Sequence, residues 1–326
     1  MTSGLILGKF MPLHKGHLAL IDFACRHCDT VSVVVGYTDK EPIAGNIREY
    51  WLHKELENYP KAILVSFKYD ETELPNTSVS SRNVSALWAD ALKRIVPHAD
   101  ILFTSEPYGE YVAEFMHIKH ILFDEKRTIH AVSATLIREH PLQYWGLIAD
   151  AAKSYFVKKI ALVGTESTGK TSLTQKLAVY YNTVFVPEMA REIIEKTEDC
   201  SYDDLSKIAT LHANTILKKL PEAHKFLFVD TDVMITKSYA EFLFNKKLTV
   251  ASWIEEANDF DLHLFLEPDC DYIQDGTRLS QNERLRLSDH HKEALVRTGI
   301  SFISINGNWE ERFEQAKQII EGRFFK

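Results

Sequence analysis

Two α/β domains in tandem, each a doubly wound parallel sheet, are what this sequence predicts. Three observations carry the prediction. Short apolar runs alternate with amphipathic stretches along the whole chain, the pattern of buried strands joined by helices. Glycine-marked turns from strand to helix occur twice, at residues 8–17 and 164–172. The 326 residues are about twice the usual single-domain length. The division is expected at Val157, giving domains 1–156 and 157–326.

In the first half, residues 5–10 read as a strand and 18–25 as a helix. Between them stands Gly8-Lys9-Phe10-Met11-Pro12-Leu13-His14-Lys15-Gly16-His17. Imidazole donors and a helix N-terminus aimed at one place form an anion site suited to triphosphate oxygens. Gly8 and Gly16 let the backbone approach such a ligand, and Phe10 belongs to the same nucleotide-binding segment. His14 and His17 have no third metal ligand nearby. Where an acceptor attacks the α-phosphorus and pyrophosphate leaves, positioning and charge stabilisation suffice, and no nucleophilic side chain is needed.

Strands follow at 30–36, 64–67, 101–105 and 121–124, with helices at 47–59 and 84–96 and a polar loop at 70–81. Ser133 and Thr135 are placed to cap a helix that carries Arg138 one turn in. Residues 141–156 read as a helical connection. Trp51 and Trp88 lie on the helices; an indole also offers a face to a flat aromatic cation, which makes Trp88 a substrate-binding candidate. Cys25-Arg-His-Cys28 lacks a second pair and falls within a helix, so zinc is not expected there.

The second half opens on a strand at 160–163, then Gly164-Thr165-Glu166-Ser167-Thr168-Gly169-Lys170-Thr171-Ser172, then a helix at 173–181. Every position of the phosphate-loop pattern is filled, in the strand–loop–helix context that lets backbone N–H groups surround a phosphate. Lys170 is expected on the β- and γ-phosphates and the Thr171 hydroxyl on Mg2+. A strand at 183–188 ends on Glu188, with Arg191 beyond it, and both are substrate-binding candidates. A strand at 226–232 ends on Asp230 and Asp232, where a magnesium-site carboxylate belongs; Asp230 is the metal candidate. Strands at 261–266 and 301–305 and a helix at 309–321 complete the half. Residues 275–286 carry Arg278, Arg284 and Arg286 and resemble a kinase lid, with Arg278 the catalytic candidate; Arg284 and Arg286 also fit a solvated helix face. His290 and His291, without acidic company, are expected on the surface.

Composition excludes several classes. Net charge is −8 and neither half has a basic excess, against duplex DNA binding as the main function. No apolar run approaches the roughly 18 residues of a membrane span. The N-terminus shows no signal-peptide layout, and four cysteines make no disulfide framework, so a cytoplasmic protein is expected.

The segment ending His14-Lys-Gly-His17 matches the H-x-G-H signature of nucleotidyltransferases of the class I aminoacyl-tRNA-synthetase-like, Rossmann-like α/β fold. Val132-Ser133-Ala134-Thr135-Leu136-Ile137-Arg138 resembles the second triphosphate-binding segment of adenylyltransferases with that signature. An H-x-G-H domain followed directly by a phosphate-loop kinase domain resembles the bifunctional NadR-type proteins, essentially end to end. The resemblance implies ATP-dependent phosphorylation of nicotinamide riboside by the second domain. It implies adenylyl transfer from ATP to nicotinamide mononucleotide, giving NAD and pyrophosphate, by the first. It further implies that His14 and His17 stabilise charge on the α- and β-phosphates and that Lys9 screens it. Ser133, Thr135 and Arg138 hold the pyrophosphate, and Arg278 stabilises the transferring phosphoryl group. The proton of the riboside hydroxyl goes to Glu188, Asp230 or Asp232, with the two aspartates preferred. Regulatory relatives carry a helix-turn-helix domain ahead of this region; here Gly4 already opens the first strand, so neither that domain nor DNA is expected. Homo-oligomerisation stays open. The competing readings are a two-domain enzyme of the coenzyme A or flavin pathway and a non-catalytic nucleotide sensor.

Overall fold

The computed structural model describes residues 1–75, 81–124, 133–194, 200–270 and 280–325, apart from the Arg191 side chain. The chain divides into two compact units, Met1–Lys153 and Ser154–Lys326. Among the described residues no helix is long and apolar enough to cross a membrane.

In the first unit the elements run β1 (Ser3–Gly8), α1 (Lys15–His27), β2 (Thr30–Tyr37), α2 (Gly45–Leu56), β3 (Ala62–Lys68), α3 (Arg82–Ile95), β4 (Ile101–Thr104), α4 (Gly109–Met116), β5 (Lys119–Leu122) and α5 (Ala134–Glu139). All five strands are parallel, in the order β3-β2-β1-β4-β5. The order reverses at β1, so a crevice opens beyond its carboxyl end, the usual ligand position in such sheets. The valine-rich β2 supplies four consecutive buried residues, Val33 to Gly36. Leu5, Val34 and Leu102 pack with Ala89 and Leu92 of α3 and Val112 and Met116 of α4 in one core. The first strand stops at Gly8, two residues earlier than expected, because Phe10 has φ 48° and leaves the extended region.

The 141–156 connection is a 3-10 turn at Trp145–Leu147 followed by α6 (Asp150–Phe156), not one helix. The second unit continues with β6 (Lys158–Val163), α7 (Lys170–Tyr180), β7 (Phe185–Val186), α8 (Tyr202–Lys219), β8 (Phe226–Asp230), α9 (Val233–Phe244), α10 (Ser252–Ala257), β9 (Leu262–Leu266), α11 (Gln281–Arg297), β10 (Phe302–Ile305) and α12 (Trp309–Phe324). Its sheet is again parallel, in the order β10-β9-β6-β8-β7, and β6 is its switch point. Every residue of β8 and β9 is buried, as in a sheet covered on both faces.

β8 ends at Asp230 because Thr231 turns left-handed at φ 72° and Asp232 becomes the N-cap of α9. The expected strand at 183–188 shrinks to two residues. The surface expectation for His291 is overturned. Arg284, Leu287, Ser288, His291, Ala294 and Leu295 recur at helical spacing and form the buried face of α11.

Phe265 sits in the core formed with Ala161, Val163, Ile235 and Leu295. Phe265→Ala is expected to lower the unfolding free energy by about 3–5 kcal/mol in a urea titration. Ile303→Ala, on the edge strand and 39% exposed, should cost under about 1 kcal/mol. Equal losses would contradict this placement of the core.

Candidate active sites

The turn from β1 into α1 is built by its two histidines. His14 is the N-cap of α1: its Nδ1 accepts the Gly16 N–H at 3.1 Å, and His17 Nδ1 accepts the His14 N–H at 3.3 Å. The rings stack with centroids 3.7 Å apart, and Phe10 meets His17 edge-on at 5.0 Å. A ring nitrogen that accepts an amide hydrogen carries no proton itself, so each neutral imidazole holds its proton on Nε2. The cap therefore sets the tautomer, and two Nε2–H donors stand at a helix N-terminus. A Cβ on Gly8 would lie 3.0 Å from the Phe10 ring, close enough that the ring would have to give way.

Behind this turn lies an ion triad of the buried Arg48, the nearly buried Glu41 side chain and the part-exposed Lys9. Lys9 Nζ is 2.6 Å from one Glu41 oxygen and Arg48 Nη2 is 2.5 Å from the other, while Arg48 Nη1 donates to the Lys9 carbonyl at 2.8 Å. Burial works to raise the Glu41 pKa, but hydrogen bonds from Lys9, the Thr38 amide and Arg48 hold it below its ordinary value. Arg138 ties the second half-motif to the first: Nη2 donates to Thr135 Oγ1 at 3.1 Å and Nη1 to the Met11 carbonyl. Ser133 Oγ caps α5 through the Leu136 N–H at 3.2 Å. Trp88 stands half-buried beside Gly36 at the carboxyl end of β2, edge-on to Tyr69 at 4.9 Å, with its N–H on the Pro75 carbonyl at 3.1 Å. Val132 lies outside the described residues.

The second site is the loop from β6 to α7. Gly164, Ser167 and Gly169 have φ of 140°, 60° and 81°, left-handed kinks that turn successive amides the same way. A Cβ on Gly164 would fall 2.7 Å from the Leu266 carbonyl, and one on Gly169 would fall 2.0 Å from the Trp309 ring, so both positions demand glycine. Lys170 Nζ and Thr168 Oγ1 both donate to the Thr165 carbonyl, at 2.9 Å each. Thr171 Oγ1 donates to Asp230 Oδ2 at 2.5 Å. Thr171 and Ser172 open the exposed side of α7, and Glu166 is half-buried in the loop.

Asp230 and Asp232 separate clearly. Both are buried, but Asp232 is engaged twice: Oδ1 accepts the Ile235 N–H at 2.8 Å, and Oδ2 lies 2.9 Å from His263 Nε2. Glu188, just past β7, keeps a half-exposed carboxylate. His212 of α8 is buried close to Glu188 and Asp232; burial lowers its pKa against the opposing pull of the two carboxylates. His291 donates or accepts at Ser238 Oγ, 2.8 Å away, and its pKa is pushed well down by burial and then by the nearby Lys170 charge. Arg278 and the Arg191 side chain lie outside the described residues.

Two family models match, one per unit: Cytidylyltransferase-like over residues 5–140 and AAA domain over 159–312. The trifunctional NAD biosynthesis/regulator protein NadR of Escherichia coli is 27% identical, over 98% of this chain and 82% of that protein. Over nearly its whole length the chain is similar to the NadR-type proteins. A solved NadR structure in complex with NR superposes with a TM-score of 0.81 at 22% identity, covering 99% of this chain and 96% of that one. The first unit is also similar to the nicotinamide-nucleotide adenylyltransferase of Thermococcus kodakarensis, 26% identical over 49% of this chain and 84% of that protein.

Two buried arginines contact the loop of the second site: Arg284, for which a solvated face had stood as one alternative, and Arg312, which sequence reasoning missed. Arg284 is 1% exposed and not on a solvated face, and Arg312 is equally buried. The signal was periodicity: each arginine falls on the apolar stripe of its helix, Arg312 in line with Ala316 and Ile320. Arg286 is exposed, as a solvated helix face requires.

The buried histidines make the second unit sensitive to acid. His212 and His291 stay neutral when folded, whereas the unfolded chain takes up protons as pH falls below their ordinary value of 6.5. Stability is therefore unaffected above that pH and falls below it. Thermal melts are expected to show a falling Tm between about pH 6.5 and 5, with a shallower slope in His212→Gln. An unchanged slope in that variant would contradict the assignment.

Proposed function

We propose that this chain is a bifunctional enzyme of NAD salvage that uses ATP at two sites. The Ser154–Lys326 unit phosphorylates nicotinamide riboside, and the Met1–Lys153 unit transfers an adenylyl group to the resulting mononucleotide, forming NAD. The observation that carries this reading is the pairing of a stacked His14–His17 turn with a complete phosphate loop in one NadR-type chain.

In the kinase unit the loop amides and Lys170 bind the triphosphate, Lys170 exchanging the Thr165 carbonyl for a phosphate oxygen. Thr171 Oγ1 and Asp230 Oδ2 are a pair of hard oxygen donors 2.5 Å apart, which fits Mg2+. The ion, when bound, would screen phosphate charge. The riboside 5′-hydroxyl oxygen attacks the γ-phosphorus as ADP departs. Its proton goes to Glu188, because Asp232 is occupied by the α9 cap and His263 and Asp230 faces Thr171. Arg278 stabilises the transferring group, and Arg191 aids acceptor binding.

In the adenylyltransferase unit the mononucleotide phosphate attacks the α-phosphorus and pyrophosphate leaves. The two Nε2–H donors and Lys9 meet the developing charge, and Arg138 with Ser133 and Thr135 receives the pyrophosphate. Trp88 and Tyr69 offer an aromatic face to the nicotinamide.

The test is separability. Lys170→Ala should abolish riboside phosphorylation and leave adenylyl transfer intact, and His17→Ala should do the reverse. Loss of both activities in either folded variant would sink the two-site reading. Glu188→Gln should lower kcat for phosphorylation by about 10²–10⁴ with the KM for ATP unchanged; full activity in that variant would return the proton to one of the aspartates.

A further inference from the structure

Three successive carbonyls of the phosphate loop are held from outside by two buried arginines on different helices. From α11, Arg284 Nε donates to the Glu166 carbonyl at 3.1 Å and Nη2 to the Ser167 carbonyl at 3.3 Å. From α12, Arg312 Nη1 donates to the Thr168 carbonyl at 2.6 Å. Its Nε donates to the Gly307 carbonyl at 2.8 Å, and its Nη2 to the Glu267 carbonyl at 2.9 Å and to the Asp269 carboxylate.

In a planar trans peptide the C=O and the next N–H point in opposite directions. Holding the carbonyls of Glu166, Ser167 and Thr168 outward therefore turns the amides of Ser167, Thr168 and Gly169 inward. Those are the amides that an anion would meet in a loop with left-handed Ser167 and Gly169. A carbonyl rotated inward would set a lone pair against phosphate, so the same two side chains both create donors and remove repulsion.

We propose that Arg284 and Arg312 are positioning residues for nucleotide binding, which set the loop's amides toward the phosphates by clamping its carbonyls from behind. They touch no phosphate themselves. A lysine at either place keeps the charge but has no fork to span two acceptors. The inference builds on the proposed kinase reading for its assay, and ADP binding separates the two.

The experiment uses the full chain with Arg284→Lys, Arg284→Gln and Arg312→Lys. ADP with magnesium is titrated calorimetrically, and riboside phosphorylation is followed as ADP release at varied ATP. The expected result is ADP affinity weakened about tenfold, with the KM for ATP raised in parallel and the KM for nicotinamide riboside unchanged. Tm should stay close to that of the parent in Arg312→Lys and in at least one of the two Arg284 variants. Folded variants that bind ADP as tightly as the parent overturn the proposal. So do variants that only melt earlier, since a merely structural role moves Tm without moving the affinity of the folded fraction. Arginine-dependent ADP binding in a parent that phosphorylates no riboside would leave this inference standing and defeat the kinase reading instead.

Discussion

A phosphate can be held by uncharged backbone only if several N–H groups point at it together, and a polypeptide does not do this by default. Both units solve the problem at the same place, where the central strand of a parallel sheet turns directly into a helix. The phosphate loop uses left-handed residues to alternate the peptide planes. The histidine turn uses side chains, whose Nδ1 atoms take up two backbone N–H groups and leave Nε2 protonated. In one site the backbone is the donor and side chains hold it in place. In the other the backbone holds the side chains.

That difference explains where the buried charge lies. An unpaired ion in a protein interior costs several kcal/mol, so a buried arginine persists only where its donors are satisfied. Arg312 illustrates this, donating to backbone carbonyls and one carboxylate; Arg48 donates to a carbonyl and a carboxylate but leaves Nε without a partner among the described residues. Such networks contribute little net stability against an apolar replacement. What they supply is direction, because a planar guanidinium accepts only a narrow range of acceptor geometries. Each of these arginines lies directly behind a turn that would contact a phosphate.

Much of the fold was legible in the sequence, because strands buried on both faces appear as continuous apolar runs and both phosphate turns are local in sequence. Short motifs carry their geometry with them: eleven residues around Gly164 imply strand, loop and helix together. The losses came where tertiary context decides. Part of what separates Asp232 from Asp230 is its local cap on α9, but the other part is His263, a residue of another strand. His291 was expected on the surface for want of acidic company, whereas its spacing of seven, three and four residues to Arg284, Ser288 and Leu295 places it inside. A polar residue on an apolar stripe is easily dismissed as noise. In this chain it marks where a helix meets the site.

The division between the two aspartates also bears on how the kinase unit handles its proton. A general base needs a lone pair facing the acceptor and some access to it. Asp232 spends one oxygen on the helix cap and the other on His263, an arrangement that holds α9 in register with β9. Asp230 directs an oxygen at the Thr171 hydroxyl, the position where a metal ion would be shared. A carboxylate in a unit with buried imidazoles would be a poor place to store a proton if those rings could compete for it. Burial lowers the affinity of His212 and His291 for a proton, which removes that competition near neutral pH. On the proposed kinase reading, Glu188 with its half-exposed carboxylate is the candidate to take that proton.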